Sequence, residues 1–242
     1  MSKRVPFMWK LGSVDEILPF ALLGLTGVTG LVDAVSFLSL GHVFTANMTG
    51  NVVLLGFAVA GVPGVSAARS LTALLVFLVG AVAGGRVLAK VSGDAIRPAL
   101  ILFGLEIIFL AAAMFAAIGY HGGPSAVYVS VYVIIVFTAV AMGMRNAAVR
   151  KLGVTDLMTT VLTLTITGLA ADSSLAGGSN PRWQRRLGSI LAMFVGAAAG
   201  AILVRRSVFA ALALGVVTMS VCSALILAVK QWGLQSRAPK AG

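Results

Sequence analysis

Charge is scarce in this chain, and negative charge is scarcest. Lys and Arg number 18 and Asp and Glu only 7 among 242 residues, 10% in all. Soluble globular chains carry about 25% charged residues, so a fully solvated surface is excluded. There is one cysteine, Cys222, and it lies inside the last apolar run. No internal disulfide can form, and nothing points to an oxidising compartment. Histidine occurs only as His42 and His121, with no second His, Cys or acid at ligand spacing, so no metal site is expected. G-x-S-x-G, P-loop and GxGxxG contexts are missing as well. Nucleophilic catalysis and phosphate-cradling have no support. The chain reads as a non-enzyme without a cofactor.

What is present is apolar. Hydrophobic residues make up 59% of the chain, and the mean hydropathy is +1.04. Several runs reach the roughly 20 residues that span a bilayer as helix. Period-two strands are not the pattern, so the fold is an all-α helical membrane bundle in contact with the lipid bilayer rather than a barrel. The net charge of +11 does not indicate nucleic acid. The bases sit in short loops and at run ends without interleaved aromatics, as in cytoplasmic loops beside an anionic leaflet.

Apolar segments fall at 17–40, 48–62, 70–91, 99–119, 125–147, 157–171, 187–204 and 208–230. Lys3, Arg4 and Lys10 precede the first, which is too long for a signal-peptide core and lacks a clear cleavage site. It is expected to be a retained span with a cytoplasmic N-terminus. The chain also repeats itself. Val79-Gly80-Ala81-Val82-Ala83-Gly84 returns as Val195-Gly196-Ala197-Ala198-Ala199-Gly200, 116 residues on. Gly30 to Ala34 is echoed by Gly143 to Ala147, 113 residues on, and Phe44 to Thr49 more faintly by Val154 to Thr159. Order is kept, so one unit of about 17–119 and another of about 125–230 form a single membrane domain. Duplicated membrane units place pathways and binding sites at their seam.

The second and sixth segments are short, and each opens on polar residues: Thr45, Asn47, Thr49 and Asn51 in one, Thr159, Thr160, Thr163, Thr165 and Thr167 in the other. If the second segment fails to cross, Arg86, Lys90, Arg97, Arg145, Arg150 and Lys151 all fall inside, as the positive-inside rule requires. A three-span unit repeated in tandem is inverted. In the second half the rule decides by one residue, because a re-entrant sixth segment leaves Arg205 and Arg206 outside but Arg182, Arg185 and Arg186 inside. The expectation is six full spans plus two short intramembrane helices. The recurring Gly80/Gly84 and Gly196/Gly200 pairs predict close and equivalent packing of the third and seventh helices, including packing of one on the other.

Asp33 is the sharpest residue, a carboxylate inside the first span where burial costs several kcal/mol unless it is paired or hydrated. Proton titration, cation ligation and pairing with Arg145 all fit it, as does a structural cap. It aligns with Asn146, so a pseudo-two-fold axis would bring Asp33 near Arg145. Glu106 has no matching acid in the second half and fits a proton relay or a protonated packing residue. The Thr45–Asn51 cluster fits coordination of a polar solute by unwound backbone and, equally, helix capping.

The run Gly30-x-x-Asp33-Ala34-x-Ser36 followed by Phe44-x-Ala46-Asn47-x-Thr49-Gly50-Asn51 resembles the YoaK-like family of bacterial inner-membrane proteins. That resemblance implies a compact integral protein of the cytoplasmic membrane with no assigned function. Two functions fit the chain. One is a small secondary transporter or permease for an unknown polar or ionic solute. Its site would lie at Asp33, Thr45, Asn47, Thr49, Asn51, Arg145, Asn146, Thr159 and Thr163, with Asp33 and Glu106 coupling a proton or ion. The other is a non-transporting scaffold, lipid-interacting protein or complex subunit. Six spans give little surface for a sealed pathway, so size suggests a homodimer, although no sequence feature requires one.

Overall fold

A computed structural model describes residues 14–91, 95–120, 128–153 and 162–235. Among them there are eight α-helices: α1 (Val14–Ser39), α2 (Met48–Val59), α3 (Ala67–Lys90), α4 (Ile96–Ala116), α5 (Tyr128–Leu152), α6 (Leu162–Ala171), α7 (Trp183–Val204) and α8 (Val208–Gln235). No strand occurs among the described residues. Six of the helices have apolar stretches of 21 to 25 residues, about 30 to 40 Å at 1.5 Å per residue, enough to cross a bilayer core of about 30 Å. The other two, α2 with 12 residues and α6 with 10, reach only about 15–18 Å. The architecture is therefore a polytopic helical membrane bundle.

Two helices form the centre. In α1 and α5, 61% of the spanning window is buried, against 11–33% in the other four spans. α1 packs chiefly on α7 and α8, α5 packs chiefly on α3 and α4, and α4 meets α8 between the two groups. Small residues set the tightest crossings. A Cβ on Gly80 would strike the Val140 carbonyl, and one on Gly143 would strike the Phe77 carbonyl, so α3 and α5 touch backbone to backbone. A Cβ on Gly196 would strike the Gly27 carbonyl, and one on Gly30 the Met193 carbonyl, where α7 crosses α1. Such contact maximises dispersion between helices that gain nothing from the hydrophobic effect in lipid. The third and seventh helices, α3 and α7, do not pack on each other as one arrangement expected. Their glycines face α5 and α1, the two helices whose own glycines can receive a bare backbone.

The segment between α1 and α3 is shaped by its polar residues. The chain turns at Gly41 and His42, both with positive φ, and returns through an irregular, bent stretch to Asn47. Asn47 Oδ1 accepts from Gly50 N at 3.2 Å and caps α2. The two ends of the excursion meet, with His42 Nδ1 at 3.2 Å from the Gly64 carbonyl. Ser66 and Ser207 similarly cap α3 and α8, accepting from Arg69 N and Ala210 N.

Candidate functional site

The deepest polar feature joins α4 and α5. Glu106 lies halfway along α4, and Arg145 lies in the C-terminal half of α5. The Arg145 Nη2 forms an ion pair with Glu106 Oε1, and both side chains have no exposure. Arg145 Nη1 also donates across to α1, to the Leu25 carbonyl at 2.7 Å and to Thr29 Oγ1 at 2.9 Å. Met219 of α8 places its sulfur 3.7 Å from Nη2. The pair thus stands where α1, α4, α5 and α8 converge. An ion pair taken wholly out of water loses several kcal/mol of hydration per ion, which only good geometry and further hydrogen bonds offset. Here the offset is uneven. Glu106 Oε2 and Arg145 Nε have no hydrogen-bond partner. A charged pair at this depth holds helices together and keeps spare donors and acceptors.

Why these elements meet there follows from small residues on α1. Gly24, Gly27 and Gly30 thin one face of that helix, while Thr26 and Thr29 turn their hydroxyls back to the Leu22 and Leu25 carbonyls at 2.9 and 3.1 Å. The Leu25 carbonyl and the Thr29 hydroxyl are then available to a guanidinium arriving from α5.

Asp33 does not pair with Arg145. Its Oδ1 accepts from Ala46 N at 2.9 Å and Asn47 N at 3.3 Å, so it holds the start of α2 against α1. The correction has a geometric reason. Alignment of Asp33 with Asn146 is a one-residue offset from Arg145, and one residue on a helix is a rotation of about 100°. Asn146 faces the α3 side, where it lines a groove with Arg150 and Lys151 and donates to the Met142 carbonyl at 3.0 Å. Arg145 faces the opposite way, into the bundle.

The Thr45–Asn51 cluster gathers around Asp33 rather than around the ion pair. Asn51 is buried and brackets Phe44, accepting from its N–H at 2.9 Å and donating to its carbonyl. Asn47 caps α2. Thr45 is buried with its hydroxyl unpartnered, whereas Thr49 is exposed. Thr163 lies exposed on α6, away from both groups, and Thr159 falls outside the described residues. Sequence reasoning also missed a lock at the other end of the bundle. Arg186 of α7 donates to the Gly168 carbonyl and pairs with Asp172 Oδ2 at 2.7 Å. The Glu106–Arg145 partnership itself had a signal, since a lone acid and a base inside apolar runs are each other's cheapest neutralisation in lipid.

Over residues 21–225 the chain matches the family model described as protein of unknown function (DUF1275), and it belongs to that family. It is similar to the UPF0700 transmembrane protein YoaK of Bacillus subtilis (strain 168), with 36% identity over 154 residues, 64% of this chain and 65% of that protein. The chain thus spans a little under two thirds of the curated relative's length. No solved structure matches it.

Proposed function

We propose that this protein is a small secondary transporter for a polar or ionic solute, worked at the Glu106–Arg145 pair between two inverted halves. The observation that carries the reading is that pair: two opposite charges with no exposure, at mid-depth, where four spans converge, with Glu106 Oε2 and Arg145 Nε unpartnered. Intramembrane charges of this kind mark substrate or proton pathways by default. A solute that offers Arg145 a better acceptor, or a proton that neutralises Glu106, would open the pair. No step here needs enzymatic chemistry.

The inverted repeat is supported by matching contacts. Gly80 and Gly84 meet α5 as Gly196 and Gly200 meet α1. A Cβ on Gly84 would lie 2.9 Å from the Ala147 Cβ, and one on Gly200 would lie 3.0 Å from the Ala34 Cβ. Each central helix is thereby wrapped by two spans from the other half, α1 by α7 and α8, α5 by α3 and α4. Such an exchange supports a seam at the ion pair, by analogy with transporters built from inverted repeats. The basic ends argue for a cytoplasmic N-terminus in the cytoplasmic membrane. Lys90, Arg97, Arg150, Lys151, Arg185 and Arg186 share one side, while Arg69, Arg205 and Arg206 hold the other. A homodimer remains the assembly that six spans suggest.

The test is a thermal-shift screen of the detergent-purified protein against metabolites and ions. Wild type is run beside Asp33→Asn and beside the double variant Glu106→Leu/Arg145→Met, which lacks both charges. A bound ligand raises apparent stability by mass action, about 2.7 kcal/mol at a hundredfold excess over Kd. The expected result is a stabiliser of wild type that has no effect on the double variant. If every ligand acts equally on both proteins, or none acts on either, the pair is structural and the chain is a membrane scaffold or complex subunit.

A further inference from the structure

A cleft of about 590 Å3 opens where the ends of α1, α4, α7 and α8 come together, opposite the lysine- and arginine-rich end. Its polar walls are Ser39, Tyr120, Arg205, Arg206 and Ser207. Arg205 and Arg206 form the turn between α7 and α8 and are exposed. No carboxylate among the described residues pairs with either. α8 starts at this wall, where Ser207 takes the Ala210 amide and the helix dipole adds a partial positive charge. Tyr120 donates its hydroxyl to the Ser39 carbonyl. Burial pushes that hydroxyl above its ordinary range while the Arg69 charge works the other way, so it remains a donor at neutral pH.

The sequence makes the sign of this face uniform. Segments 40–66, 117–127 and 204–207, which join the spans on this side, contain no Asp or Glu. Among the described residues the charges nearest this end are Arg69, Arg205 and Arg206, with Asp33 set deeper in α1 and turned to the Ala46 and Asn47 amides. Two adjacent arginines at this end are what the positive-inside rule disfavours if it is the translocated one. At the other end, a groove of about 650 Å3 between α3 and α5 is rimmed by Asn146, Arg150 and Lys151.

We propose that the cleft at Ser39, Tyr120, Arg205 and Arg206 binds an oxyanion, a carboxylate or phosphate group, and that the transported solute is an anion. The second half of this statement rests on the transporter reading; the first does not. A guanidinium pair offers forked N–H donors that match carboxylate and phosphate oxygens, and no acid lines the cleft to compete for them. A cation would face Arg205 and Arg206 and no carboxylate on the walls.

The experiment uses the full chain in neutral detergent at constant ionic strength, titrated with phosphate, sulfate, succinate and, as a weakly coordinating control, chloride. Melting midpoints are compared for wild type, Arg205→Gln/Arg206→Gln, and Arg86→Gln/Lys90→Gln at the opposite end. The expected result is saturable stabilisation by at least one oxyanion. Its half-point should rise tenfold or more in Arg205→Gln/Arg206→Gln and stay put in Arg86→Gln/Lys90→Gln. Equal responses in all three proteins, or none to any oxyanion, would overturn the cleft. A parallel arm in nanodiscs separates the sources. Protection by phosphatidylglycerol over phosphatidylcholine that free anions fail to reproduce would make the site a lipid-headgroup site and overturn the anionic solute. A silent cleft beside a neutral or cationic ligand that needs the Glu106–Arg145 pair would end this inference and leave the transporter reading standing.

Discussion

Arg145 illustrates how much one side chain decides in a low dielectric. Its guanidinium serves Glu106, the Leu25 carbonyl and the Thr29 hydroxyl at once, so three helices depend on it. Removing one member of a buried pair leaves a bare charge and costs about 3–5 kcal/mol, whereas replacing both by apolar side chains of similar volume is often neutral or stabilising. Arg145→Met and Glu106→Leu as single variants are therefore expected to lower the melting midpoint in detergent sharply, and the double variant to recover most of the loss. A double variant as unstable as the sum of the singles would show that the polar bonds to α1, not the charge pairing, hold the site. Asp33 plays a quieter part. Asp33→Asn keeps one oxygen for the Ala46 and Asn47 amides and should fold normally. Asp33→Ala leaves the Ala46 and Asn47 amides without their acceptor and should lose about 1–3 kcal/mol.

Helix crossings were legible from glycine spacing, because a backbone-to-backbone contact needs bare positions four residues apart and leaves them visible in the chain. What the spacing could not tell was the partner. Gly80 and Gly196 carry no directional information beyond their own helix, and only the fold reveals that they face α5 and α1. The contrast between two neighbouring glycines makes the packing testable. Gly80 abuts the Val140 backbone, while a Cβ on Gly85 would meet nothing within 4 Å. Gly80→Leu should separate α3 from α5 and destabilise the protein in detergent by several degrees. Gly85→Leu, five residues on and turned to another face of the helix, should be tolerated. Equal tolerance would mean that the α3–α5 crossing is looser than backbone contact. The short helices were read from their length and from the polar residues at their mouths. Whether those residues were ligands or caps was not legible, because Asn and Thr serve both purposes; Asn47 and Asn51 have their amides engaged with Gly50 and Phe44.

At the scale of the molecule, the count of spans followed from hydrophobic length, and the pairing of Arg145 did not, because it depends on helix rotation that spacing alone leaves free. Orientation sits between these. Parallel packing of α1 and α7, with Gly188 beside Leu23 and Gly200 beside Leu31, puts the start of α7 at the same end as the start of α1. The α6–α7 loop and the α2–α3 loop then open on opposite faces, and two excursions that fail to cross are what permits this. Cys222 is the one native thiol and is buried, so a Cys222→Ser background is easily prepared. Single cysteines are then introduced by Val62→Cys in the α2–α3 loop and Ser179→Cys in the α6–α7 loop, both at exposed positions. With a membrane-impermeant maleimide, Val62→Cys should label in intact spheroplasts and Ser179→Cys only after lysis. Labelling of both from outside would require α6 to cross and would remove the inverted relation between the halves. The reverse pattern would keep that relation and turn the whole molecule over, which would place the Arg205–Arg206 cleft in the cytoplasm.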